Sequence, residues 1–243
     1  MQVIPSDLKI VNFHAHSVYS IHDALNSIKD LVKSAKESGS CSACISEHGH
    51  LASMPGFVKE CEREGVNFRI ACEFYFQWDE FKDSVAKSNH LLVIVKDEIG
   101  WKNMLKLQHL SNVPVAKGGG FYFKPRITEK MLQAHKEGLI IGSACISSPI
   151  TSLLVEGKYA DACIRAEFFR DNFEHFFMEA MPHNLEIQKL VNPLIFKMAE
   201  SLSIPVCVTL DTHIADSSYV KAYLANGDIR RRRTIVDRQN TEL

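Results

Sequence analysis

His14 and His16 stand one residue apart in Phe13-His-Ala-His16, and two imidazoles at that spacing can grip one divalent ion. If a strand runs to Phe13, positions two apart face the same side. Each ring can then turn a nitrogen toward a shared cation. A lone His-x-His pair also arises in ordinary packing, so its weight comes from its company. His48 in Ser46-Glu-His-Gly49, Glu73, His90, Cys145, and the pair Asp211 and His213 in Leu210-Asp-Thr-His213 all lie close to short apolar runs. Most follow such a run, whereas His90 opens one, His90-Leu-Leu-Val-Ile-Val95. Imidazole, carboxylate and one thiolate suit zinc, manganese or iron better than calcium or magnesium. There are more candidate ligands than one four-coordinate ion can use. Two or three ions are therefore expected, with Glu73 or Asp211 available to bridge a pair. Clustered divalent ions are a common solution for phosphoryl transfer to water.

Residues this far apart in sequence meet only if the fold carries them to one place. Seven strand-like runs are legible: 8–13, 43–46, 68–72, 90–95, 139–142, 175–178 and 206–210, each short and rich in β-branched or aromatic residues. Helical periodicity fills the intervals. Leu25–Ser38 ends at Gly39, Pro55–Glu64 ends at Gly65, and Glu98–Leu110, Thr128–His135, Ala160–Asp171 and Glu186–Ser201 follow, the last carrying a Pro193 that should bend or interrupt it. Strand–helix alternation implies an α/β fold with a mostly parallel sheet. Seven comparable strands favour a seven-stranded (β/α) barrel, whose strand mouths converge on one point. An open doubly wound sheet is the alternative. The whole of 1–243 reads as a single domain, with a polar and mobile tail after about residue 228.

Composition narrows the function. The chain has 243 residues, 46% hydrophobic and 23% charged, with a net charge of −1. It lacks the overall basic field of a strong nonspecific nucleic-acid binder, although Arg230-Arg231-Arg232-Arg233 is a local basic cluster. Neither a signal peptide nor a membrane span is legible. Seven cysteines, an odd number, point to free thiols and a cytoplasmic location. Cys41 and Cys44 have no second pair, and positions three apart on a strand oppose each other, so they should not share a ligand. Phe168, Phe169, Phe173, Phe176 and Phe177 read as core at a helix–strand junction.

Several stretches together resemble the PHP (polymerase and histidinol phosphatase) family, most closely the PHP domain of bacterial DNA polymerase III alpha subunits. They are Phe13-His-Ala-His-Ser-Val-Tyr-Ser20 with Asp23, Ser46-Glu-His-Gly49, Ala71-Cys-Glu-Phe-Tyr75, His90-Leu-Leu-Val93, Phe121-Tyr-Phe-Lys-Pro-Arg126, Gly142-Ser-Ala-Cys145 and Asp211-Thr-His213. Glu47 departs from the family's usual Asp-His-Gly. The resemblance implies a distorted TIM-like (β/α)7 barrel and three divalent ions (Zn, Mn or Fe). By the family pattern His14 and His16 hold one ion, with Glu73 as bridge and Asp211 completing the set. His90 and Cys145 hold a second with Glu73, and Asp23, His48 and His213 hold a third. His22 competes with Asp23 for its place. Lys124 and Arg126 are candidate phosphate contacts, the Arg offering a fork suited to phosphate oxygens. His183 is a candidate proton donor to the leaving oxygen.

The implied activity is a metal-dependent phosphoesterase on a nucleic-acid-related ester, as a 3′→5′ exonuclease on single-stranded DNA ends or on a nucleotide. A histidinol-phosphatase-like monoesterase is one alternative. A non-catalytic metal-binding module docked on replication proteins is another. The chain ends where polymerase sequence continues in those relatives, which implies a free-standing enzyme or one that works beside a separate replicative polymerase.

Overall fold

The computed structural model describes residues 11–78 and 88–230. The start of the expected first strand and Arg231–Arg233 of the basic cluster lie outside them. Seven strands form one mixed sheet: β1 (Ala43–His48), β2 (Phe68–Gln77), β3 (Asn89–Val95), β4 (Arg126–Thr128), β5 (Leu139–Gly142), β6 (Phe176–Ala180) and β7 (Val206–Val208). The order is β1-β2-β3-β5-β6-β7, with β4 alongside β2. The helices are α1 (Ile28–Glu37), α2 (Met54–Glu64), α3 (Glu98–Asn112), α4 (Glu129–Ala134), α5 (Thr151–Val155), α6 (Tyr159–Asn172), α7 (Glu186–Leu202) and α8 (Val220–Arg230).

The α/β class is as expected, but a closed ring of seven regular parallel strands is not what the sheet forms. It is a curled, half-barrel sheet of mixed direction. β3 runs antiparallel to both β2 and β5, while β1–β2, β2–β4, β5–β6 and β6–β7 are parallel. Residues 11–13, the described part of the expected first strand, form no strand, and just beyond them an isolated bridge joins Ala15 to Thr212. Its backbone is nevertheless anchored on both sides. Ser46 N donates to Ala15 O at 2.9 Å, His16 N to Thr212 O at 2.9 Å, and Thr212 N to His14 O at 3.1 Å.

Strand alternation separates two environments. The outward set includes Phe74 and Phe76 of β2, Leu91 and Val93 of β3, Ile141 of β5 and Met178 of β6, packed with α3 to α7 in the main core. Ala43 and Ile45 of β1 meet Leu31 and Val32 of α1 and Phe57 of α2 in a second cluster. The inward set is a smaller apolar plug of Cys44, Ala71, Leu92, Ile94 and Ala144, with Phe13 and Phe177 against it. Further along the same inward positions come His48, Glu73 and His90.

Local signals explain several helix ends. Ser27 and Asp30 form a reciprocal capping box at α1, and α2 ends at Gly65 in the left-handed conformation. Pro193 does not interrupt α7, which is helical from Glu186 to Leu202. Of the phenylalanine run, Phe168, Phe169, Phe173 and Phe176 enter the main core, whereas Phe177 turns to the inner face. No helix among the described residues is long and apolar enough to cross a membrane.

Candidate metal centre

The direction of β3 explains why His90 opens its run. Strand β1 ends at the rim with His48, while parallel β2 passes it at Glu73 and runs on to Gln77. An antiparallel neighbour must begin there. The register aligns His48 with Glu73, and Tyr75 with His90.

All nine expected ligands meet at this rim. His14 and His16 are fully buried and Glu73 is 1% exposed. His14 Nε2 lies 3.3 Å from both Glu73 Oε1 and Asp211 Oδ1. His16 Nε2 lies 3.1 Å from Asp211 Oδ1 and 3.4 Å from Glu73 Oε2. His90 Nδ1 is 3.0 Å from Glu73 Oε1, and Cys145 Sγ is 3.6 Å from the same nitrogen. Asp23 Oδ2 reaches His48 Nε2 at 2.6 Å and His213 Nε2 at 3.4 Å. His22 turns elsewhere, its Nδ1 3.5 Å from Asn226 Oδ1. Three overlapping triads, His14-His16-Glu73, His48-Glu73-His90 and His16-His48-His213, each bring their ligand atoms within 4.8 Å of one another.

Chemistry at this rim fits a cation. His14 Nδ1 is 2.9 Å from Glu179 Oε2 and donates its proton there. With Nδ1 so committed, Nε2 faces carboxylate oxygens and must hold a second proton or meet a cation. His14 Nε2, His48 Nδ1 and Glu73 Oε2 are buried without a hydrogen-bond partner. The last two are only 2.7 Å apart, so they are close yet not aligned to share a proton. Buried polar atoms are rarely left in this condition. Positive charge supplied at the rim would satisfy each of them.

Electrostatics carry the same sign. Burial would lower the His48 pKa, but the Asp23 and Glu73 carboxylates beside its two ring nitrogens outweigh it and push it up to about 10. His16 falls to about 4, driven by burial and by the neighbouring His48 and His14 against its bond to Asp211. Burial also opposes the charged form of His14, yet Asp211, Glu73 and Glu179 raise its pKa well above the usual value. Glu73, Asp211 and Asp23 stay below the usual carboxylate range despite burial, because histidines surround them. The Cys145 thiol is pushed up by burial and by Glu73 and Asp211. In the protein alone, protons on histidine neutralise the carboxylates.

Backbone strain gathers here as well. Non-glycine residues at positive φ include His22 (64°), Ala144 (63°) and Asp211 (42°), each a candidate ligand or next to one, and Phe123 (63°), next to Lys124. Such residues persist where the surroundings fix them, commonly at functional sites.

Three candidates flank the cluster. Lys124 Nζ sits 4.1 Å above the Tyr75 ring, which stacks on His48 and meets His90 edge-on. Arg126 is buried, its Nε donating to Gly120 O at 3.3 Å and its guanidinium 5.3 Å from the Tyr122 ring centre. His183 Nε2 donates to Leu210 O at 2.6 Å, one residue before Asp211. Cys41 is exposed and Cys44 buried, and neither belongs to the cluster.

Two buried carboxylates had no assigned role in the sequence. Glu47 accepts from Ser17 N at 3.2 Å and from the Ser17 and Ser20 hydroxyls, and so holds the loop leading to Asp23. Glu179 supports His14. Its available signal was position: it follows the sixth apolar run as Glu73 follows the third.

The chain is 32% identical over 216 residues to the DNA polymerase III subunit alpha of Treponema pallidum, covering 86% of this chain and 18% of that one. With the Chlamydia pneumoniae subunit it shares 28% over 261 residues, covering 96% and 21% respectively. It thus spans about a fifth of the length of these relatives. A structure from Bifidobacterium adolescentis, classed as a metal-dependent phosphoesterase, superposes with a TM-score of 0.50 at 15% identity, covering 92% of this chain and 97% of that one. The PHP domain family model matches residues 12–183, and by that match the chain belongs to the PHP domain family.

Proposed function

We propose that this chain is a metal-dependent phosphoesterase acting on a nucleic-acid-related phosphate ester, in the manner of a 3′→5′ exonuclease. The observation that carries the reading is that His14 Nε2, His48 Nδ1 and Glu73 Oε2 are buried at one rim without hydrogen-bond partners, the last two 2.7 Å apart. His14, His16, Glu73 and Asp211 would hold one ion, His90, Cys145 and Glu73 a second, and Asp23, His48 and His213 a third. Zinc, manganese and iron fit the donor set. Bound ions would supply Lewis acidity and an activated water and would neutralise phosphate oxygens.

The chain's own groups do the rest. Lys124 presents its ammonium beside the rim, steadied over Tyr75, where it can meet a phosphate oxygen. Arg126, held on Gly120, braces the loop that carries Lys124. With its Nε2 proton committed to Leu210 O, His183 has Nδ1 left to pass a proton to the leaving oxygen. A replicative polymerase is the proposed partner. A small phosphate monoester is the second reading, favoured by the net charge of −1, which gives little long-range pull on a polyanion.

The test loads chelated protein with zinc, manganese or iron and compares 3′-labelled single-stranded DNA, histidinol phosphate and a chromogenic monoester as substrates. Cleavage of DNA alone is expected. Turnover of the small esters alone supports the second reading. Metal content that falls in a His14→Ala, His16→Ala variant, with every assay already blank in the parent, leaves a non-catalytic metal module and overturns both.

A further inference from the structure

We infer that Glu179 is a positioning residue for the metal centre: one buried carboxylate that orients His14, sets the turn presenting Cys145 and ties down the segment leading to Asp211. The inference rests on the metal-centre reading above and deepens it. Glu179 lies near the end of β6 on its inward face and is 2% exposed. It accepts three hydrogen bonds. His14 Nδ1 donates to Oε2 at 2.9 Å, Thr209 Oγ1 to the same oxygen at 2.7 Å, and Ala144 N to Oε1 at 2.7 Å. Each donor stands at or next to a ligand in the chain or two residues before one. Ala144 has a φ of 63° and immediately precedes Cys145, so the bond to Glu179 supports a backbone conformation that alanine rarely adopts. Thr209 lies two residues before Asp211, itself at a φ of 42°.

Room for this carboxylate is built in. A Cβ at Gly142 would lie 2.6 Å from Glu179 Oε1 and 2.9 Å from Phe177 Cζ. Ser143 Oγ accepts the Glu179 amide proton at 2.8 Å, so the backbone is pinned as well as the side chain. A carboxylate is the side chain that can accept from three donors with nothing to donate in return. Its bond to Nδ1 also fixes the tautomer of His14, leaving the Nε2 lone pair facing Glu73 and Asp211. Carboxylates that orient a ligating histidine in this way are worth roughly 10–100-fold in metal affinity.

Glu179→Gln separates positioning from packing, because it keeps the shape and removes one acceptor. With the amide oxygen toward Ala144 N, the NH₂ group faces His14. The Nδ1 atom must then accept, which places the His14 proton on Nε2, where the ion would bind. The full chain, stripped with chelator, is titrated with zinc alone against a competing dye. Cobalt is used in parallel to read the thiolate-to-metal charge-transfer band of Cys145. Glu179→Gln is expected to lose roughly 10–100-fold in zinc affinity at one site while keeping the cobalt–thiolate band. That loss should shrink to a few-fold in a His14→Ala background, because the effect acts through His14. Thr209→Val, a milder change, should give a smaller loss in the same direction. Unchanged zinc affinity in both single variants, or an equal loss with and without His14, overturns the inference. Wild-type protein that binds no zinc, manganese or iron overturns the metal-centre reading instead.

Discussion

The two faces of β2 are built for different partners. Cys72, Phe74 and Phe76 alternate toward the main core, each fully buried among apolar side chains. Glu73 and Tyr75, between them, look inward to His14, His48 and His90. One face is complete as it stands, since dispersion and dehydration need nothing but more hydrocarbon. The other packs imidazole nitrogens and carboxylate oxygens at 2.7 to 3.4 Å and leaves several without hydrogen-bond partners. The contrast teaches that one strand can serve an apolar scaffold and a cluster of candidate metal ligands with no change of backbone.

Paired substitutions can break that division. Phe76→Ala, which opens a void against Trp78 and Phe169, should cost about 3–5 kcal/mol in chemical denaturation. Zinc stoichiometry of the folded fraction should be unchanged. Glu73→Gln should do the opposite: a native circular dichroism spectrum, with zinc affinity down by more than the roughly 100-fold limit for a residue that only supports a ligand. Loss of zinc sites in folded Phe76→Ala protein would mean the faces are not separable.

Acidity sharpens the comparison from the inner side. In the metal-free protein His48 holds its proton up to about pH 10, and metal binding requires neutral imidazole. Zinc binding at neutral pH should therefore release protons, and apparent affinity should rise as pH rises. Titration calorimetry in buffers of different ionisation enthalpy reads this directly, and identical heats in all buffers would contradict it. The stability of the metal-free protein should move the other way. A histidine whose folded pKa is raised stabilises fully below its unfolded value near 6.5 and loses that contribution as pH climbs through about 10. The melting temperature of chelated protein should thus fall over this window while the margin conferred by zinc grows.

Much of the centre was legible because ligation and strand alternation both leave local marks. His14, His16, His48, Glu73 and Asp211 stand beside apolar runs, where a strand mouth would put them. His90 looked anomalous because an apolar run has no arrow. Only pairing reveals that β3 is antiparallel, which also spoils the regular closed barrel. β4 is three residues long, too short to show a period. Glu179 acts on a residue 165 positions away, a relation that composition and spacing cannot carry. Asp23 faces the rim and His22 does not, across a positive φ of 64° at His22 that no side-chain preference announces.

The smallest effect belongs to α1, which backs the outer face of β1 while its preceding residue touches the centre's scaffold. Ser27 Oγ accepts from Asp30 N at 3.1 Å, and Asp30 Oδ2 accepts from Ser27 N at 2.8 Å. Asn26, one residue earlier, donates its side-chain amide to His16 O at 2.8 Å. Ser27→Ala removes a cap worth about 1 kcal/mol. If the outer layer only supports, denaturation should register that loss and zinc affinity should stay within about twofold, since the Asn26 bond to His16 does not depend on the cap. A tenfold loss of zinc affinity would show that strain passes from α1 through Asn26 to the ligand-bearing segment. The two environments would then be one mechanical unit, coupled through the Asn26 bonds to His16 O and Thr212 O and the Val18 N bond to Asn26 O.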